Sequence, residues 1–404
     1  MSTIVLAYSG GLDTSVLLKR LLLEGHEVVT MTADLGESDA QIGARAADEI
    51  AQVRAKALAL GARQAHTIDA RQRFVSEYVL PALAANARYE GVYPLSAALS
   101  RPLIAALLVE TARAVKADAV AHGCTGKGND QVRIELAVRA LDTTLEVRAP
   151  LRQSPLSRPD AMAYAAEHGI PVSQSSSKPY SIDANLWGRS IEAGVLEDPW
   201  AAPPEDAFAW TAAPQNRPTL PSEIVVHFER GVPSVEAISG AALLAQLNVL
   251  AGSHGIGRID LIEDRVIGVK SRELYEAPAA TLLLLAHEAL ERLVLTRDEL
   301  RFKAGVDRRY AELAYDGLWH SPLRSALDAF NGSFATRITG DVAMRLHQGS
   351  ATVIGLRSPF ALYDEHLATY GEGDRFDHHA ADGFIRCYGL PFDRLAHLGI
   401  GTAQ

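Results

Sequence analysis

Cysteine is almost absent from this chain. Its two thiols, Cys124 and Cys387, stand far apart and lack the second pair that a disulfide framework or a zinc spacing needs, which fits a reducing cytoplasm. Surplus positive charge is missing too: 39 Lys and Arg against 49 Asp and Glu leave a formal net charge of −10. Binding a nucleic-acid backbone usually shows as clustered excess Lys and Arg, so small-molecule substrates are expected and nucleic acid is not. No apolar run reaches the length of a membrane span, and the N-terminus lacks the basic region and longer apolar segment of a secretory signal. A soluble protein beginning at Met1, with no membrane partner, is the expectation. The adjacent pair His378-His379 invites a metal reading, but neighbouring residues face different sides of an element and no third ligand follows at a recognisable spacing, so no metal site is expected. Solenoid-type repeats are absent as well. What remains is 404 residues, 48% hydrophobic, enough for about two or three packed domains of ordinary composition.

From Thr3 to about Leu151, short β-rich segments alternate with helical patterns, as parallel βαβ units do. Strands are expected at Thr3 to Tyr8, Glu27 to Ala33, Gln64 to Asp69, Asp118 to Gly123 and Leu145 to Ala149. Helices are expected around Ala40 to Leu60, Arg73 to Ala87, Pro102 to Val115, Asp130 to Ala140 and Arg158 to His168. The pattern predicts an α/β fold with a doubly wound parallel sheet, its ligand lying beyond the carboxyl ends of the strands. The polar run from Val172 to Pro179 places a domain boundary near 170. Past a loop with six prolines between Asp198 and Pro221, Glu223 to Glu229 and Val232 to Ile238 read as a hairpin across Arg230-Gly231. The expected division is a nucleotide-binding domain at 1–170, an α+β domain at 171–370 and a C-terminal tail at 371–404.

Ala7-Tyr8-Ser9-Gly10-Gly11-Leu12-Asp13-Thr14-Ser15 follows the first strand and opens a helix. Two glycines bring backbone amides close to an anion, and the free amides and dipole of the helix start favour negative charge there. No Lys-Ser or Lys-Thr follows, so this is not a Walker A loop. It resembles instead the pyrophosphate loop of the ATP pyrophosphatases, which cut ATP to AMP and pyrophosphate. A triphosphate gathered in a small cleft implies Mg²⁺ arriving with ATP, and no tightly bound cofactor besides.

A second glycine-rich loop runs from His122 through Gly123, Thr125 and Asn129 to Arg133. Helical spacing puts Asn129, Asp130 and Arg133 on one side, offering amide, carboxylate and guanidinium to a small polar ligand. The same residues also suit a capped helix start with an internal Asp130 to Arg133 ion pair.

These two loops, with Tyr180-Ser-Ile-Asp-Ala-Asn185, Gly257-Arg-Ile-Asp-Leu-Ile-Glu-Asp-Arg265 and Lys270-Ser-Arg-Glu-Leu-Tyr-Glu-Ala-Pro278, resemble the successive signatures of the argininosuccinate synthetase family, in its order. That family joins citrulline to aspartate with ATP. The resemblance implies ATP contacts from Ala7, Tyr8, Ser9, Gly10, Gly11, Leu12, Asp13, Thr14, Ser15, Ala33 and Gly123. It implies aspartate contacts from Thr125, Asn129 and Asp130, and citrulline contacts from Tyr93, Ala98, Asn129, Arg133, Ser181, Ser190, Glu263 and Tyr275. Ser9, Asp13 and Arg101 are the candidate catalytic residues. Taken alone, Glu263 and Tyr275 would read as surface charge on a β segment and a half-buried ring.

Three departures stand out. Ala97 and Ala98 replace a usual hydroxyl, Ala149-Pro-Leu-Arg152 replaces the common Ala-Pro-Trp-Arg, and the loop after Asp34 is long and Ala-rich. The family's terminal helix clasps neighbouring subunits, which implies a homotetramer, although Pro391, Gly399 and Gly401 predict an interrupted helix here. A tRNA thiolase or lysidine synthetase of the same superfamily would want paired cysteines or a basic surface. A binding protein that has lost turnover would be separated from an enzyme by substrate-dependent pyrophosphate release.

Overall fold

β1 (Thr3–Ala7), β2 (Glu27–Asp34), β3 (Gln64–Asp69), β4 (Ala119–Ala121) and β5 (Glu146–Arg148) form an all-parallel sheet in the order β3-β2-β1-β4-β5. The computed structural model describes residues 2–36, 47–154, 156–171 and 180–401. Its contacts divide it into two compact units, Met1–Phe360 and Ala361–Gln404. Alternation along β1 explains the layers. Ile4 and Leu6 point into a core with Val16, Leu17 and Leu21 of the helix Leu12–Leu23 and with Ala161 and Ala165 of Arg158–Glu167. Val5 points the other way, into a core with Leu99, Leu103 and Leu107 of the helix Ser96–Val115 and Ile134 of Asp130–Leu141. Both faces are therefore covered, as a parallel sheet requires. The strand order reverses between β1 and β4, and the crevice beyond their carboxyl ends is where such sheets hold ligands.

The expected strands are all present, but two helices differ. Arg73 to Ala87 is broken into Arg71–Phe74, a wider π turn over Val75–Val79 and Leu80–Ala84. Pro81 has no N–H to continue the ladder, and the Leu80 N–H reaches back to the Val75 carbonyl instead. The helix expected from Pro102 begins at Ser96, after Leu95 in the left-handed region at φ 68°, so Pro102 lies buried inside it. The first segment of the helix expected from Ala40, residues 40–46, lies outside the described residues, as does the polar run 172–179.

β6 (Ser181–Asn185) and β7 (Gly188–Glu192) enter a second, antiparallel sheet. β8 (Ser222–Glu229), β9 (Val232–Val235) and β10 (Ile238–Ser239) belong to a third, and the hairpin expected at Arg230-Gly231 is there, with both turn residues at positive φ. β11 (Arg258–Asp264) and β12 (Lys270–Glu276) complete the second sheet in the order β11-β12-β7-β6, while β13 (Gly340–His347) and β14 (Ser350–Arg357) complete the third as β10-β9-β8-β13-β14. In the second sheet Ile182, Ile191 and Leu274 pack with Leu196 on one face. Their strand neighbours Ser181, Asp183, Ser190, Glu192, Glu273 and Tyr275 are thereby turned to the other face, toward the parallel sheet's crevice.

Glu276, fully buried at the end of β12, holds the proline-rich loop. Its carboxylate accepts from the backbone N–H of Ala209, Trp210 and Thr211, from the Thr211 hydroxyl, and from Arg189 Nη1 at 2.8 Å.

The second unit is dominated by the helix His378–His397, capped by the Asp377 carboxylate. Pro391 does not interrupt it. The carbonyl that Pro391 leaves without an amide is that of Cys387, an exposed residue on an exposed helix, where water can take the place of the missing donor. No helix among the described residues is long and apolar enough to cross a membrane.

Candidate functional site

A cleft of about 460 Å³ opens beyond the carboxyl ends of β1 and β4. Ala7, Tyr8, Ser9, Asp13, Thr14 and Ala33 line one side. Gly123, Thr125, Asn129, Asp130 and Arg133 line the next, Tyr93 and Arg101 stand behind, and the second sheet supplies Ser181, Ser190, Glu263 and Tyr275. A larger hollow of about 870 Å³ shares none of these residues, and four of its charged groups meet in the pairs Arg88–Glu288 and Lys303–Asp307.

Gly10, Gly11, Leu12, Ser15 and Ala98 do not line the cleft wall, and the first four shape the loop instead. Gly10 has φ 80°, and a Cβ there would stand 2.8 Å from Val53 Cγ2. Its carbonyl accepts from Lys56 Nζ at 2.8 Å, while the Ser15 hydroxyl donates to the Gly11 carbonyl at 2.7 Å and meets the Tyr8 phenol at 3.1 Å. Gly11 caps the helix without a side-chain bond, which leaves the first-turn amides without a capping side chain at the edge of the cleft lined by Asp13 and Thr14. Gly10→Ala is therefore expected to raise the ATP requirement by an order of magnitude or more, since positive φ and the Val53 contact both resist a side chain. Initial rates against ATP concentration measure it, and a native ATP dependence would show that this loop does not set the phosphate geometry.

The expected ion pair in the second loop exists, and it is part of something larger. Arg133 Nη1 donates to Asp130 Oδ1 at 3.2 Å, Arg101 Nη2 donates to Asp130 Oδ2 at 2.7 Å, and the same nitrogen lies 2.9 Å from Asp183 Oδ2. Burial alone would raise the Asp130 pKa, but Arg101 and Arg133 hold it below the usual carboxylate range. Asp183 goes the other way, raised by burial and by Asp130 beside it. Arg133 lines the cleft, is 3% exposed, and its buried Nη2 has no hydrogen-bond partner in the protein. Such a donor is costly to leave unmet, and a carboxylate is its natural acceptor.

Asn129 is more committed than expected. Its Oδ1 accepts from the Val266 N–H and its Nδ2 donates to the Tyr315 phenol, both at 2.9 Å, so it joins the second loop to the turn after β11. Glu263 is 3% exposed and accepts from Tyr275 at 2.8 Å and Tyr315 at 2.9 Å. Tyr93 stacks on Tyr275 at 4.0 Å and its hydroxyl accepts from the Ala97 N–H at 3.0 Å, so that amide is spent within the protein. Ala98 lies in the core, fully buried.

Four charged residues on the wall have no role assigned from the sequence: Asp183, Glu192, Arg265 and Glu273. Arg265 pairs with both Glu192 and Glu273, and burial with the neighbouring Glu192 and Glu263 pushes the Glu273 carboxyl up to about 8. Asp183 and Glu273 each stand two residues from an assigned contact, Ser181 and Tyr275, on the same strand face. That period-two signal was available.

The arginosuccinate synthase N-terminal HUP domain model matches residues 3–171, and the arginosuccinate synthase C-terminal domain model matches residues 180–394. The argininosuccinate synthase of Gloeobacter violaceus is 53% identical over 393 residues, 96% of each chain. That of Synechococcus sp. (strain JA-3-3Ab) is 52% identical over 404 residues, covering 99% of this chain and 98% of its own, and that of Geobacillus kaustophilus is 51% identical over 391 residues, 96% and 94%. With both halves matched in order by family models and the identity sustained across nearly the whole length, the chain belongs to the argininosuccinate synthase family.

Proposed function

We propose that this protein is a ligase that joins citrulline to aspartate with ATP, releasing AMP and pyrophosphate and forming argininosuccinate in arginine biosynthesis. The observation that carries the reading is the buried, unpaired Nη2 of Arg133, a residue that lines the same cleft as the glycine-rich anion loop. Family membership and the chemistry of the lining support the rest. Arg133 takes the α-carboxylate of citrulline and Glu263 its ammonium, while Ser181, Ser190, Tyr93 and Tyr275 offer neutral donors and acceptors to the remainder. Asp130 and Thr125 face aspartate. Ser9, Asp13 and Arg101 serve the phosphates, with Mg²⁺ entering as part of the ATP complex.

The ureido oxygen attacks the α-phosphorus, an O–P bond forms, and the bond from the α-phosphorus to the bridging oxygen breaks. Pyrophosphate leaves into the amides of the loop. The aspartate amine then attacks the ureido carbon, the C–O bond breaks, and AMP departs with that oxygen. Adenylation turns an unreactive oxygen into a leaving group, and the enzyme's part is orientation and charge stabilisation.

The division of labour follows: residues 1–170 hold the nucleotide, 171–370 complete the amino-acid sites, and 371–404 assemble subunits. The apolar side chains of Phe384, Ile385, Tyr388 and Phe392, exposed on the terminal helix, support a homotetramer, and the scarcity of cysteine supports a cytoplasmic setting.

Pyrophosphate release that requires both amino acids is the direct test. With citrulline present and aspartate withheld, isotope in the α,β-bridging oxygen of ATP is expected to scramble into non-bridging β positions. In the complete reaction, label in the ureido oxygen is expected in AMP. Formation of ADP, or label in inorganic phosphate, would place the attack at the γ-phosphorus and overturn the reading.

A further inference from the structure

Three assigned citrulline contacts from different parts of the chain converge on one side chain that the sequence does not single out. Tyr315 ends the helix Arg297–Tyr315 and is fully buried. Its hydroxyl donates to Glu263 Oε1 and accepts from Asn129 Nδ2, both at 2.9 Å, and its backbone carbonyl accepts from Arg133 Nε at 2.9 Å. The Arg133 guanidinium lies over its ring, 4.7 Å from the centroid, and Tyr89 stacks on the ring at 3.5 Å, nearly parallel. The chain can turn this close to the Asp130–Leu141 helix because residue 317 is glycine. With φ 80°, Gly317 would place a Cβ 2.8 Å from the Arg133 Cα.

We propose that Tyr315 is a positioning residue for the citrulline half of the site, fixing the directions of the Glu263 carboxylate, the Asn129 amide and the Arg133 guanidinium without touching substrate. This rests on the reading that Arg133 and Glu263 hold the two ends of the α-amino acid group. One residue sets three partners because each uses a different part of it: the phenol proton goes to Glu263, a phenol lone pair to Asn129, and the backbone carbonyl and the ring face to Arg133. With Nε and Nη1 tied to Tyr315 and Asp130, only Nη2 of Arg133 is left for the ligand.

The same contact sets the charge of Glu263. Burial raises its pKa; the phenols of Tyr275 and Tyr315, then Arg133 and Arg265, pull it back. Glu273 on β12 and the rings of Tyr93 and Tyr89 are the other titratable groups facing it. Removing the Tyr315 hydroxyl takes away a donor to the ionised form, so Glu263 accepts a proton at higher pH and releases the substrate ammonium there.

The test is steady-state kinetics on the full chain. Tyr315→Phe keeps the ring and its stacking, and is expected to raise the citrulline KM roughly tenfold with kcat within about threefold, and to leave the ATP KM unchanged. The acid limb of the pH profile for citrulline kcat/KM moves to higher pH. Incorporating 3-fluorotyrosine at 315, a stronger donor of nearly the same size, moves that limb to lower pH and provides a readout should the phenylalanine variant fold poorly. In a Glu263→Gln background, which itself raises the citrulline KM, the added effect of Tyr315→Phe falls below about twofold. A raised KM in Glu263→Gln combined with an unmoved acid limb in both Tyr315 variants overturns the proposal alone. A native citrulline KM in Glu263→Gln overturns the reading of the site and the proposal with it.

Discussion

Replacing Arg133 with Ala is expected to raise the citrulline concentration for half-maximal rate by roughly thirty- to five-thousand-fold, the equivalent of about 2–5 kcal/mol for a buried charge-assisted pair. Arg133 lines the cleft and is deeply buried, with one unpaired nitrogen. Asp130 keeps Arg101 at 2.7 Å, an ion pair it shares with Asp183, so the loop retains its main cation. ATP binding is expected to stay near native, because no atom of Arg133 is bonded to the glycine-rich loop. Citrulline and ATP saturation curves measured side by side check this. An unchanged citrulline curve would reduce Arg133 to the helix ion pair that its spacing also allows.

The second large effect is on folding. Glu276→Ala removes an acceptor that serves three backbone amides, a hydroxyl and Arg189, all in a fully buried setting, and takes away the carboxylate that pairs with the Arg189 cation. Breaking a buried pair on one side costs about 3–5 kcal/mol, and for a chain of this size the thermal midpoint falls by about 4–6 °C. Glu276→Gln, which keeps an acceptor oxygen, should lose less. Scanning both variants by calorimetry gives the comparison. A midpoint within about 2 °C of native for the alanine variant would mean that water replaces the carboxylate without penalty.

The parallel sheet was legible because β1 and β2 are short runs rich in β-branched residues, and burial on both sheet faces leaves a strong local pattern there. The hairpin at Arg230-Gly231 was legible from its turn. Helix boundaries near proline were not: the start at Ser96 depends on Leu95 adopting a left-handed backbone, and Pro81 marks a break in the ladder without fixing that it takes the form of a π turn. In the cleft, the two glycine-rich loops announced themselves through composition. Glu263 and Tyr275 came only through family resemblance, and Asp183, Glu192 and Glu273 were given no role. Alternating polar residues on a strand look the same whether they face water or a substrate, and only the packing of Ile182, Ile191 and Leu274 on the opposite side decides which. Tyr315 was invisible for another reason. Its partners Glu263 and Asn129 lie 52 and 186 positions away, beyond any local pattern.

That last separation also has a meaning in time. The loop from Ala7 to Ser15 and its parallel sheet are made early, whereas the bond between Asn129 and Tyr315 awaits 186 further residues, about 10–40 s of synthesis at roughly 5–20 residues per second. During that interval a growing chain carries the glycine-rich loop but has no Tyr315 to hold Glu263 and Asn129. The phenol that joins the two halves of the amino-acid pocket is supplied only after the first 314 residues.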